Sequence, residues 1–109
     1  MSECASWQEL VEVLERLLSG GMGITEGCRL LARLRHVLDE EDNPLFLPFV
    51  GVDSETDSFP LGDARKLWSA DGLRRADEQR SVVERHYKTL VNDAAKALRQ
   101  FALGEISKH

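Results

Sequence analysis

The stretch from Leu73 to Gly104, LRRADEQRSVVERHYKTLVNDAAKALRQFALG, decides how this chain is read. Its apolar residues Ala76, Val83, Tyr87, Leu90, Ala94, Leu98 and Phe101 recur at spacings of three, four or seven, the period of one face of an α-helix. A long amphipathic helix must bury that stripe against something, so the rest of the chain is expected to supply further helices.

It does so on both sides of a puzzling middle. Ser6 and Glu9 have the spacing of a capping box, and Trp7, Leu10, Val11, Leu14, Leu17 and Leu18 follow at helical intervals until Gly20-Gly21. A first helix is expected over residues 7–19. Thr25 can cap a second, whose apolar face is Cys28, Leu31, Leu34 and Leu38, widened by Leu30 and Val37. Asp63 can cap a short helix through Ala64, Arg65, Lys66, Leu67 and Trp68, and Ser69 or Asp71 can open the long one. Asn43-Pro44 reads as a turn or a short helical start, and Leu45 to Gly62 as irregular. The expected architecture is all-α, a single domain over residues 1–109. It is an antiparallel three- to four-helix bundle with an irregular acidic loop between helices two and three.

Charge is segregated along the chain. Residues 1–38 carry five acids and four bases, residues 39–63 eight acids and no base, and residues 64–109 six acids and ten bases, within a net charge of −5. A central acidic block repels nucleic acid and attracts cationic surfaces over a Debye length of about 8 Å at physiological salt. The basic residues of the last helix, among them Arg74, Arg75, Arg80, Arg85, Lys88, Lys96 and Arg99, are interleaved with acids, and Glu84-Lys88 has i,i+4 spacing. They read as a solvated helix face with no footprint for phosphate. Two cysteines, Cys4 and Cys28, are too few for a disulfide framework and are expected to be free thiols. The absence of a basic, apolar leader after Met1 points to a cytoplasmic protein. Its longest apolar run, Leu45 to Val52, is far short of the ~20 residues of a membrane span.

Two catalytic or metal patterns touch the middle segment, a third would draw on the cysteines and histidines elsewhere, and each is incomplete. Phe49-Val50-Gly51-Val52-Asp53-Ser54-Glu55-Thr56 looks like the first motif of DnaQ-like exonucleases, in which carboxylates at a strand end hold divalent metal. The later His or Tyr just before an Asp is missing: His86 and Tyr87 stand seven and six residues before Asp93. Asp53, Glu55 and Asp57 also fit the first positions of a calcium loop, but Ser58 and Ala64 stand where Gly and Glu belong. Cys4, Cys28, His36, His86 and His109 have no zinc spacing. No cofactor, metal or catalytic activity is therefore expected, and an apolar setting should make Cys28 inert.

The same segment resembles a set of small acidic bacterial proteins sharing Leu47-Pro48-Phe49, Asp53-Ser54-Glu55-Thr56-Asp57, Pro60, Gly62, Arg65 and Trp68. In size and layout it is similar to immunity proteins of contact-dependent inhibition and related toxin systems. That resemblance implies a protein that binds and neutralises a basic, nuclease-like toxin domain. The implied contacts are Asp39, Glu40, Glu41, Asp42, Asp53, Glu55, Asp57 and Asp63, with Phe59 or Trp68 as aromatic anchor. Phe46 and Phe49 add to the aromatic character of the loop, and Trp68 fits either a core or an interface. The alternative expectation is a homodimeric structural or regulatory protein pairing through Val83 to Phe101.

Overall fold

The computed structural model describes residues 3–108, with backbone alone for Glu3 and Cys4. It is all-α, with no strand among the described residues. Helix α1 spans Glu3–Ser19, α2 Ile24–Val37, α3 Leu47–Thr56 and α4 Ala70–Ser107. Two 3₁₀ segments, Pro44–Phe46 and Gly62–Leu67, lead into α3 and α4. The thiol of Cys4 lies outside the described residues.

The first helix starts earlier than the sequence suggests. Ser6 lies inside it and is buried, so the expected capping box at Ser6 and Glu9 does not form. Trp7, Leu10, Val11, Val13, Leu14 and Leu17 bury a broad face, and Trp7 meets Phe101 of α4 with ring centroids 5.7 Å apart. The end of α1 is closed by Gly20 at φ 82, with Gly20 N–H donating to the Leu17 carbonyl and Gly21 N–H to that of Arg16. That is the Schellman arrangement, in which glycine takes the left-handed position without steric cost.

Helix α2 begins one residue before Thr25, so Thr25 is not its cap but a buried residue of its first turn. Its end repeats the Schellman geometry, with Asp39 N–H donating to the His36 carbonyl and Glu40 N–H to that of Arg35. Here the left-handed residue is Asp39 at φ 54. Helices α1 and α2 cross closely at Gly27, where a Cβ would lie 2.5 Å from Leu17 Cδ2, so the crossing depends on glycine.

The largest correction concerns Leu45 to Gly62. The stretch expected to be irregular is mostly helix: Asn43 Oδ1 accepts from Leu45 N–H to start the 3₁₀ turn, and α3 follows with Pro48 in its first turn. Phe46, Phe49, Val52 and Thr56 fall on one side, essentially free of solvent. They pack into the core formed by α1, α2 and the second half of α4. Phe46 and Phe49 are thus core residues and contribute no recognition surface.

Ser69 caps α4 by accepting from Gly72 N–H at 3.0 Å. Asp63, the expected cap of the preceding segment, lies inside it and makes no cap bond. Along α4 the buried positions are Ala76, Val91, Ala95, Leu98 and Ala102, while Val83, Tyr87, Ala94 and Phe101 are half-buried and Leu90 is exposed. The seam named for dimerisation therefore faces largely inward. The core cluster includes no residue between Val52 and Tyr87. The Gly62–Leu67 segment and the opening turns of α4 extend from the bundle as an arm, and the molecule measures 49 × 29 × 25 Å. No described helix is long and apolar enough to cross a membrane.

Candidate functional site

The acidic block is sorted by the fold into three groups with different surroundings. The first lies on α3. Asp53 turns toward α2, where its carboxylate lies 3.5 Å from Arg29 Nε. Arg29 Nη2 also donates to the Thr56 carbonyl at 2.7 Å and to that of Phe59 at 3.4 Å. Glu55 turns toward α4 and accepts a 2.6 Å hydrogen bond from the Tyr87 hydroxyl. That bond raises the Tyr87 pKa above its ordinary value. Residues two apart on a helix point about 200° away from each other. Asp53 and Glu55 therefore diverge, one to each neighbouring helix. An exonuclease-type pair needs both carboxylates converging from a strand end, and here there is a helix. No three His, Cys, Asp or Glu side chains among the described residues come together to hold a metal ion. The Asp-Ser-Glu-Thr motif acts as a polar clamp that fixes α3 between α2 and α4.

A second inter-helix link, not foreseen from the sequence, belongs to the same layer. Glu84 of α4 accepts from Thr25 N–H at 3.0 Å and from Thr25 Oγ1 at 2.8 Å. Its carboxylate thereby caps the first turn of α2 from another helix, where the dipole favours negative charge. The expected Glu84-Lys88 pair does not form; Glu84 is taken by α2. Cys28, fully buried on the next turn, has its thiol pushed up to about 12, first by burial and then by the charges of Asp53 and Glu84. Burial and both carboxylates therefore favour the neutral thiol over the thiolate.

The raised thiol pKa has a consequence for alkaline stability. The unfolded thiol ionises near 9.0 and the folded one near 12, so above 9.0 the unfolded chain releases a proton that the native state retains. Stability should therefore fall as pH rises through that window. Denaturation midpoints measured across it should decline in the native sequence, and Cys28→Ala should remove part of the decline.

The second group is the tetrad after α2. Asp39 forms the left-handed corner, and Glu40 is half-buried with its carboxylate accepting from Asn43 Nδ2 at 3.0 Å. Glu41 lies 3.2 Å from His36 Nδ1, and its carboxyl is held below the usual range by a backbone hydrogen bond at Glu41 itself and then by His36. Asp42 is exposed. At the other end of α3, about 15 Å away along the helix axis, Asp57 is exposed as well. Asp39, Asp42 and Asp57 have no side-chain partner among the described residues. Leu47, the first residue of α3 and so at the tetrad's end of it, is 57% exposed. None of the family models, curated proteins or solved structures matches this chain.

The third group is the corner before α4. Phe59 and Trp68 line one cleft of about 220 Å³ together with Gly72, Arg75 and Ala76. Trp68 packs over the first turn of α4 beside Gly72 yet stays 43% exposed, so it is surface and not core. Apart from Arg75, the charges around it are paired with one another. Asp63 lies 3.2 Å from Lys66, and Arg65 donates two hydrogen bonds to Asp77 at 2.8 and 2.9 Å, which hold the Asp77 carboxyl below the usual range. The corner is consequently apolar and nearly neutral, unlike the two ends of α3. The ten residues expected to act together thus fall into a clamp (Asp53, Glu55), acids at the two opposite ends of α3 (Asp39, Glu40, Glu41 and Asp42 at one, Asp57 at the other) and an apolar corner (Phe59, Asp63, Trp68).

Proposed function

We propose that this protein is a stoichiometric binding protein of the immunity type, which meets a basic toxin domain and blocks it by steric and electrostatic occlusion. The observation that carries the reading is the set of unpartnered, exposed carboxylates at the two ends of α3. Other acids of the block have been drawn into pairs by Arg29, Tyr87, His36 and Lys66, whereas Asp39, Asp42 and Asp57 are left to solvent. Unpaired charge at a rigid helix has no role in stability; at the C-terminal end of a helix it is mildly unfavourable. It does raise the association rate with a cationic surface, and the exposed Leu47 at the start of α3 offers apolar contact beside the tetrad. Asp53 and Glu55 hold the scaffold, and their reversal would disturb the fold before it disturbed binding.

The test begins with the neighbouring reading frame: the reading expects a secreted protein there whose C-terminal domain binds this chain. Asp42→Lys with Asp57→Lys should lower the association rate at least ~10-fold and flatten its salt dependence while helicity is unchanged. An unaltered rate and salt dependence would remove these two carboxylates from the contact.

A further inference from the structure

The side of α4 that faces away from α3 forms a groove with α1. Lys96 stands nine residues after Tyr87, half a turn around the helix from the residue that meets Glu55 of α3. Lys96, Arg99 and Gln100, three and four apart, share one face of α4, and Glu15, Leu18 and Ser19 share one face of α1 in the same way. These two faces, with Arg16, line a single cleft of about 750 Å³. That volume falls within the range of small-molecule sites, roughly 300–1,000 Å³.

The cleft is cationic in a chain whose net charge is −5. Arg16, Lys96 and Arg99 line it against the one acid Glu15, while Asp93 and Glu105, their acidic neighbours in sequence, do not. Glu15 is already engaged: it accepts from Arg99 Nη2 at 3.2 Å, which anchors the guanidinium by one nitrogen and leaves Nε and Nη1 without a partner among the described residues. Arg16 and Lys96 have no side-chain partner among the described residues either. Arg16 by itself is accounted for by α1, because a cation in the last turn complements the helix dipole. Lys96 has no such reason. It adds a like charge beside Arg99 on one helix face, where neighbours of the same sign repel. A cleft of about 450 Å³ on the outer side of α2 gives the contrast, for there Glu26 and Asp53 balance Arg29 and Arg33, and Glu41 meets His36. The groove between α1 and α4 has two cations unanswered.

The rest of the lining selects the kind of anion. Leu18 is half-buried and packs against the core, so it gives the groove an apolar floor, and the carbon stems of the three cations add apolar wall beneath their charged heads. A bare inorganic anion would leave that floor wet. No aromatic ring lines the groove to stack a base, and three cations in one cleft make no stripe for a nucleic-acid backbone.

We propose that the groove between α1 and α4 binds a small organic anion, a carboxylate or phosphate monoester on a short aliphatic chain. Arg16, Lys96 and Arg99 hold its charged group, and Leu18 lies under its chain. The groove is on the far side of α4 from α3, so this binding and the proposed toxin contact stand or fall independently.

Titration of the isotope-labelled full chain with hexyl phosphate, hexanoate and inorganic phosphate, followed by amide chemical shifts at neutral pH, tests the site. The expected result is shifts centred on Arg16, Leu18, Ser19, Lys96, Arg99 and Gln100 that saturate with at least one organic anion by about 10 mM, with inorganic phosphate several-fold weaker. Tighter binding of hexyl phosphate assigns a phosphate monoester and tighter binding of hexanoate a carboxylate; either supports the site. Lys96→Glu and Arg99→Ala should each weaken binding at least ~10-fold, the scale of one charge-assisted hydrogen bond. Lys88→Glu makes the same change of charge about 12 Å earlier along α4, beyond a Debye length of about 8 Å, and should leave affinity within ~2-fold. Both lysines are exposed, so helicity by circular dichroism should be kept. The absence of saturable shifts up to about 10 mM would overturn the proposal. So would a loss with Lys88→Glu equal to that with Lys96→Glu, or inorganic phosphate binding as tightly as both organic anions.

Discussion

Phe49→Ala is expected to destabilise the protein by about 3–5 kcal/mol, the usual cost of emptying an aromatic site in a packed core. Phe49 is fully buried in a cluster with residues of α1, α2 and α4. A small domain has only ~5–15 kcal/mol in total, so the variant should lie close to its unfolding threshold. Urea denaturation followed by circular dichroism checks this: the midpoint should fall steeply with little change in slope. A loop aromatic kept for recognition would instead lose almost nothing on truncation. The experiment thus separates the two descriptions of the segment Leu45 to Gly62.

Arg29→Ala should have the next largest effect, about 2 kcal/mol, from charge-assisted hydrogen bonds that are partly solvated. Arg29 joins α2 to three points on and after α3: the Asp53 carboxylate and the carbonyls of Thr56 and Phe59. Those carbonyls lie at and beyond the end of α3, where the Phe59 N–H, 3.0 Å from the Thr56 carbonyl, is the one backbone donor shown to follow among the described residues. Without Arg29 the end of α3 loses its anchor and the Asp53 charge is left beside the buried Cys28. Arg29→Lys should recover only part of the loss, since an ammonium cannot reach two carbonyls and a carboxylate through a planar fork. Thermal melts of the three proteins should therefore rank native above Lys above Ala.

The first two helices of the core were legible because their apolar residues keep a clean helical period. Leu10, Leu14, Leu17, Leu31 and Leu34 are buried where that period places them. Helix α3 was not legible, for a physical reason. From Leu45 to Val52 almost every residue is apolar, so the run has no polar side to mark a helix face, and Pro48 and Gly51 read as breakers. Pro48 in fact occupies the first helical turn, where its missing N–H costs nothing.

The site was half legible. Composition revealed the acidic block, but the division of its members depended on partners distant in sequence. Asp53 is paid for by Arg29 in the preceding helix, and Glu55 by a tyrosine that the apolar period had assigned wholly to the core. Glu84 was misread because its local neighbour Lys88 offered a simpler partner than the first turn of α2. No local spacing records such choices; they follow from how the helices pack. The apolar corner was partly visible, since Phe59 and Trp68 do share a cleft, but its neutrality arises from Arg65 reaching Asp77 across a turn.

The central claim is that the fold divides its acidic block into carboxylates that hold helices together and carboxylates left facing solvent. Two double variants measured side by side by thermal denaturation test it directly. Asp53→Asn with Glu55→Gln removes the charges of the clamp and should lower the midpoint by several degrees. Asp42→Asn with Asp57→Asn removes charges that have no internal partner, one of them beside the negative end of α3, and should leave the midpoint unchanged or slightly raised. Equal losses in the two proteins, or a greater loss in the second, would contradict the account.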